Sequence, residues 1–549
     1  MARLATIGLC FTKHEARSTN HEIHESRPLM DNFSASLRFT KPALRSQGGI
    51  VAAQHRRAAE AGAAVLSQGG DAVDAAITTS FALGVLEPWM SGIGGGGAMV
   101  LYRARENRYA VIDFGMRAPA SLDPANYPLT GEGVSSDLFP WERVKDDRNV
   151  HGPCAIAVPG VVDGMRVAHE RFAKLPWKAL IEPAASLADE GLLIDWFATE
   201  SIASAAPDLS RYPSSRETFL VNGLPPTPAW SARTEIRLPQ QKLARTLRHL
   251  ADVGAREFYE GELARGLSRE IQAAGGYLSS QDLAGYRARE VDPLMINYRG
   301  ARVAATPELT AGPSLAYALR QLEKQWSPGV VLDQHAYIAY AQCLQEAYSY
   351  RLTRMGDVDG GRAPGCTSHF CVVDRDGNMA AVTQTLLSIF GSRFTLPESG
   401  ILMNNGIMWF DPQQGRPNSL APGKRCLTNY CPVIAERGTD RLALGASGGR
   451  RILPAVAQLL SFLIDYRMDL GGAFHAPRID ASEGDAVIGD ALLAEGIHSA
   501  LASRFPYVRM PRQTLPFKFA CPSAVLRGGA ANWGATEIGS PWADAIAQA

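Results

Sequence analysis

Residues able to do covalent chemistry gather at two places in this 549-residue chain. One is Gly445-Ala446-Ser447-Gly448-Gly449, which satisfies the G-x-S-x-G pattern of a serine nucleophile elbow. A strand-like run (441–444) precedes it and an apolar helical run (451–466) follows, the context such an elbow needs. A serine there requires an acid and then a histidine further along. Only His475 and His498 remain, the spacing is cramped, and no HGGG-type oxyanion loop lies upstream. The other place is Thr367-Ser368-His369-Phe370-Cys371-Val372-Val373, whose alternation of polar and apolar residues predicts a half-buried strand. Asp376-Gly377-Asn378 supplies residues that tolerate a tight turn, and a second alternating run leads back to Thr385. Spacing alone establishes a hairpin with a threonine at its head and another near its far end.

Two further patterns fail on context. Gly92-x-Gly94-x-x-Gly97 has the form of a dinucleotide fingerprint, but that motif follows a strand and opens a helix, and here an apolar strand follows the glycines. His21-Glu22-Ile23-His24-Glu25 spaces its histidines three apart, not four, with no third ligand in view. No metal and no cofactor are expected.

The hairpin residues Thr367-Ser368-His369-Phe370-x-Val372-Val373-Asp374, Gly377-Asn378 and Val382-Thr383-x-Thr385 resemble the γ-glutamyltranspeptidase family of N-terminal-nucleophile hydrolases. So do Gly400-Ile401-Leu402-Met403-Asn404-Asn405, Pro422-Gly423-Lys424-Arg425 and Gly445-Ala446-Ser447-Gly448-Gly449-Arg450. The likeness runs through nearly everything from about Gly49 onward. It implies a four-layer αββα sandwich (class α/β, α+β) and a precursor that cuts itself between Cys366 and Thr367. It also implies that Thr367 is the nucleophile, Thr385 orients its hydroxyl, and Gly448 and Gly449 donate to the oxyanion. A threonine freed in this way carries its own base, an α-amine with a reference pKa of roughly 8. The partners implied are a small-molecule amide and the two fragments of one precursor, which stay associated; a dimer of such pairs is open.

The chain departs from the family where the substrate's charged groups would be held. The arginine that clamps the α-carboxylate of a γ-glutamyl group aligns with Gly115, leaving Arg117 two residues away as its substitute. The two ligands of the α-amino group align with Leu387 and Trp409. A pair of serines is replaced by Thr428 and Asn429, which keep hydrogen-bonding capacity. The segment 412–421 is shorter than the lid loop of many relatives. Arg117, Trp409, Thr428 and Asn429 are therefore the expected substrate contacts, and the expected reaction is hydrolysis of a smaller or less zwitterionic amide, in the manner of oxamate-type amidohydrolases. A true γ-glutamyl enzyme using Arg117, the Ser447 hydrolase and a catalytically silent homologue are the alternatives.

The elements that must position these residues are legible in outline. Length allows two or three lobes. Hydrophobic content of 46% and charged content of 20% suit a globular enzyme, and 55 basic against 55 acidic residues give no field favouring nucleic acid or anionic membrane. Eight cysteines without CxxC spacing read as buried thiols of a reducing compartment. The N-terminus is a poor signal peptide, so the cytoplasm is favoured over the periplasm. Residues 1–48 read as a polar tail, with Met30 an alternative start; 49–366 form a large chain with a helical lobe at about 176–290, and 367–549 a small chain that begins at the nucleophile. Ile50-Val51-Ala52-Ala53 reads as a strand, Asp71 as a helix N-cap, residues 332–356 as an amphipathic helix, and 357–364 as a linker before the cleavage point.

Overall fold

A computed structural model describes residues 39–135, 141–231, 233–355, 366–512 and 518–549; the histidines at 21 and 24, Met30 and the 357–364 linker lie outside the described residues. Fourteen strands build two seven-stranded sheets: β1 (Leu44–Ser46), β2 (Ile50–Ala53), β3 (Gly96–Arg103), β4 (Arg108–Phe114), β5 (Arg289–Val291), β6 (Leu294–Tyr298), β7 (Ala301–Ala305), β8 (Cys366–Val373), β9 (Met379–Leu387), β10 (Val433–Arg437), β11 (Asp440–Ser447), β12 (Cys521–Gly528), β13 (Ala531–Thr536) and β14 (Asp544–Ala547). The first sheet runs β1-β13-β12-β11-β10-β7-β6 and the second β14-β2-β8-β9-β3-β4-β5, every pair antiparallel.

The sheets stack face to face on an apolar layer that includes Ile50, Ala52, Val100, Cys371, Val373, Ala381, Ile434, Ala443 and Val525. Helices α1 (Arg56–Ser67) and α2 (Ala72–Leu86) cover the outside of the second sheet, packing on Val51, Ala53, Phe370 and Val372. Helices α3 (Gly312–Gln325), α4 (Gln334–Arg354) and α5 (Ile452–Ile464) cover the first, on Val303, Val433 and Leu444. This is the αββα sandwich.

Helix α2 starts at Asp71, whose carboxylate accepts from Val73 N and Asp74 N while Asp74 answers the Asp71 N–H, a capping box. It is almost wholly buried, as a helix between a sheet and a further helical layer must be, and its polar side chains Asp74, Thr78, Thr79 and Ser80 are each hydrogen-bonded. That further layer is the helical lobe across residues 177–284.

Two differences from the sequence reading have plain causes. The β8–β9 hairpin is buried on both faces, because α2 covers one and the first sheet the other; its polar residues survive there by hydrogen bonding, His369 to Thr383 within the hairpin, Ser368 to Ser91, and Gln384 to Ser80 and Ser91. The ordered fold also begins before residue 48: Leu44–Ser46 forms the edge strand β1, paired with β13 some five hundred residues away, and so short a strand with so distant a partner leaves no periodic signal.

Candidate active site

Thr367 is the second residue of β8 and is only 4% exposed. Cys366 lies opposite Leu387, and Ser368 opposite Gln384, so the ladder shifts between them. Thr385 and Leu386 together face the single residue Thr367: a β-bulge, which bends the strand and brings the two threonines side by side. Leu387, which closes the bulge, takes a left-handed φ of 89°, and its N–H donates to Thr385 Oγ1 at 2.8 Å.

Strand parity shows which way Thr367 faces. His369 bonds Thr383 Oγ1 at 2.9 Å, and its ring fills the space that a side chain at Gly445 of β11 would need. The Cys371 thiol donates to the Ser523 carbonyl of β12. Ser368, between odd-numbered neighbours, meets Ser91 Oγ at 3.0 Å on the helix side. Odd positions of β8 therefore look toward the first sheet, and Thr367 looks toward the end of β11. There Gly448 and Gly449 adopt φ of 127° and 61° before a short turn leads into α5. Backbone N–H groups at such a strand–turn–helix junction form a ready anion cradle. A Cβ on Gly448 would lie 3.0 Å from Ala520 Cα, so the turn is glycine by packing as well as by conformation. Glycine serves the opposite side too: a Cβ on Gly95 would fall 2.2 Å from the Thr385 carbonyl oxygen, which is the work of the Gly92–Gly97 run that nucleotide binding does not claim.

Among the described side chains of the hairpin none is placed to act as a base. Burial pushes the His369 imidazole down to about 3, so it stays neutral between Thr383 and Cys371. The serine-elbow alternative also lacks its partners: Ser447 Oγ is bonded to Gln54, His475 lies against Lys41 N and the Gly471 carbonyl, and His498 against Tyr507.

The expected substrate contacts divide. Trp409 and Leu387 are buried in one apolar cluster with Met116, Ile407 and Met408. Arg117 alternates with inward-facing Met116, is exposed, and donates from Nε to the Gly423 carbonyl at 2.8 Å. Thr428 is also committed, its hydroxyl bonding the Leu309 carbonyl at 3.1 Å. Asn429 differs: it is buried, and its Nδ2 has no acceptor. The same holds for the hydroxyl of Tyr430, whose ring meets Trp409 edge-on at 6.3 Å; burial holds its phenol well above the usual range.

Sequence reasoning missed Arg351, which donates to the Thr310 carbonyl at 2.9 Å and the Thr428 carbonyl at 2.6 Å and so fixes the stretch that carries Asn429. Burial lowers this guanidinium to about 10. A charge continuing the apolar stripe Ala336-Tyr340-Leu344-Tyr348 was the available signal. Asn404 was quoted only as a motif residue; its amide ties Gly94, Ala157 and Gly406 together with four bonds.

Glu87, which ends α2, carries a measurable consequence. It is 4% exposed and its Oε2 has no partner. Burial, aided by the charge of Asp195, raises the carboxyl from 4.5 to about 8. The folded protein thus holds a proton that the unfolded chain has lost at neutral pH. Its contribution to stability is complete below pH 4.5 and is lost as pH rises to about 8. Thermal melts of Glu87→Gln should gain on wild type across that window, by on the order of 3 kcal/mol at pH 7. A difference that does not change with pH would contradict this assignment.

Among the described residues no three His, Cys, Asp or Glu side chains group so as to hold a metal ion, and no helix is long and apolar enough to cross a membrane.

The family model for gamma-glutamyltranspeptidase matches residues 58–365 and 360–512. The acylase ACY 1 proenzyme of Pseudomonas sp. (strain SE83) is 32% identical over 510 residues, 86% of this chain and 89% of that protein. The glutathione hydrolase proenzyme of Bacillus subtilis (strain 168) is 30% identical over 490 residues, 78% of this chain and 80% of that protein. A cephalosporin acylase from Bacillus halodurans shares the fold, with a TM-score of 0.81 over 94% of this chain and 99% of that one at 24% identity. The sandwich is thus that of an N-terminal-nucleophile hydrolase, an enzyme made as a self-processing precursor. The chain belongs to the γ-glutamyltranspeptidase family.

Proposed function

We propose that Thr367 is the nucleophile of both self-cleavage and turnover, and that the substrate is a small amide whose acyl group is less zwitterionic than γ-glutamyl. The observation that carries the first part is the pairing of Thr367 with Thr385 across the bulge, facing the Gly448–Gly449 turn. In the precursor the Thr367 nitrogen is an amide. Its hydroxyl oxygen adds to the Cys366 carbonyl, the C–N bond breaks, and the nitrogen takes the proton, leaving an ester that water opens. The freed α-amine then accepts the hydroxyl proton when Thr367 attacks a substrate amide; the leaving amine departs protonated, and water releases the acid. Thr385 orients the hydroxyl, and Gly448 and Gly449 donate to the oxyanion in each addition.

The fragments 1–366 and 367–549 remain one body on this reading. The second sheet interleaves β8, β9 and β14 from one with β2, β3, β4 and β5 from the other. Six cysteines with described side chains are free thiols, which supports a reducing compartment, read as the cytoplasm.

For the acyl group, Leu387 and Trp409 stand among apolar side chains and Arg117 faces outward, which disfavours an ammonium–carboxylate pair. Tyr430, its ring against Trp409, and the neighbouring Asn429 each carry an unpaired donor, suited to a neutral or acidic acceptor on an otherwise apolar acyl group. A panel comparing γ-glutamyl anilide with small N-acyl amides, with and without glycylglycine, tests this. The amides should turn over faster and glycylglycine should add little; preferential γ-glutamyl transfer would overturn it. Trp409→Asp places an anion for an α-amino group and should raise kcat/KM for γ-glutamyl anilide at least about tenfold, a charge-assisted bond being worth about 1.5–3 kcal/mol. An unchanged ratio would remove Trp409 from the acyl pocket.

A further inference from the structure

We infer that Gln54 is a positioning residue that sets the distance between the nucleophile strand and the oxyanion turn, acting through Ser447. This rests on the reading of Thr367 and of Gly448–Gly449 given above.

The ladder between β2 and β8 stops at the Ala53–Phe370 pair. The next pair would join Gln54 to His369 through the main chain, but here the Gln54 side chain takes over: its Oε1 accepts the His369 N–H at 3.0 Å. Its Nε2 donates to Ser447 Oγ. All three residues are buried. The orientation of the amide is not free, since the His369 N–H can only donate and must face the oxygen, so the NH2 must face Ser447. One side chain therefore spans the two sheets. It ends, on one side, two residues beyond Thr367 and, on the other, at the last residue before Gly448.

Oxyanion donors work only when placed within tenths of an ångström of the developing charge. The layer between the sheets is mainly apolar, and apolar contacts resist sliding weakly because they have no direction. A doubly bonded amide does have direction, and it braces the sandwich where the nucleophile and the turn must keep register. Ser447, which fits the serine-elbow pattern, thereby gains a role that needs no histidine. Both precursor cleavage and substrate acylation use the same turn, so loss of the strut should slow both alike and leave ground-state binding untouched.

The test uses Gln54→Leu, Gln54→Glu, Ser447→Ala and the Gln54→Leu/Ser447→Ala double variant. Thr367→Ala is the control, and melting temperature is followed throughout. Expected for Gln54→Leu is a fall in kcat of about 10- to 100-fold with KM within about twofold, and precursor cleavage slowed in proportion. Gln54→Glu should recover most of the rate, because a carboxylate accepts from both the His369 N–H and the Ser447 hydroxyl. Ser447→Ala and the double variant should match Gln54→Leu, since the pair acts as one unit. If Gln54→Leu does not fold, Ser447→Ala alone decides by the same criteria. Wild-type kcat in a folded, cleaved Gln54→Leu or Ser447→Ala, or losses that add in the double variant, would overturn the strut. If Thr367→Ala still turns over substrate, it is the nucleophile assignment that fails instead.

Discussion

Thr367→Ala should run on a denaturing gel as one band near the full 59.1 kDa, where wild type gives two. Its hydrolytic rate should fall by at least about 10⁴-fold. The loss is compound. Removing the hydroxyl removes the atom that attacks the Cys366 carbonyl, so the chain is never cut. Without the cut, the α-amine that would serve as base stays locked in a peptide bond. Among the described residues His369 does not replace it, being held neutral by burial and bonded on both ring nitrogens. Thr367→Ser retains the hydroxyl and should cleave and turn over more slowly, because the methyl that helps fix the side-chain rotamer is gone. A cut, active Thr367→Ala would place the nucleophile elsewhere.

Gly448→Ala should leave KM nearly unchanged and lower kcat by about 10²- to 10³-fold, the usual cost of one oxyanion donor. The reason is geometric. The residue sits at φ 127°, which a residue with a side chain rarely adopts, and its Cβ would meet Ala520 Cα at 3.0 Å, backbone that cannot swing aside. Relief comes by turning the peptide, which takes the N–H of the turn off the oxyanion. Precursor cleavage passes through the same kind of tetrahedral oxyanion and should slow with it. Gel time courses and steady-state kinetics on the same preparation check both at once; a variant slow in turnover but normal in cleavage would mean that the turn serves only the second reaction.

The hairpin was legible because its information is local. Alternation from Thr367 to Val373 and the Asp376-Gly377-Asn378 turn specify the strands, and the register then brings Thr385 to Thr367. Asp71 declared the start of α2 for the same reason. What stayed hidden depends on distant partners. Nothing near Gln54 announces that its amide will reach Ser447, 393 residues away. Parity around Arg117 was equally hidden: Met116 turns inward and Arg117 outward, and only the fold fixes that. Cleavage itself has no composition or periodicity of its own; it is a property of a strand head placed against a glycine turn.

The most direct test of the account is the intact mass and N-terminal sequence of the purified, active protein. Two fragments should be found, one ending at Cys366 and the other beginning at Thr367. A single unbroken chain that still hydrolyses an amide would leave the threonine hydroxyl without its amine and contradict the account.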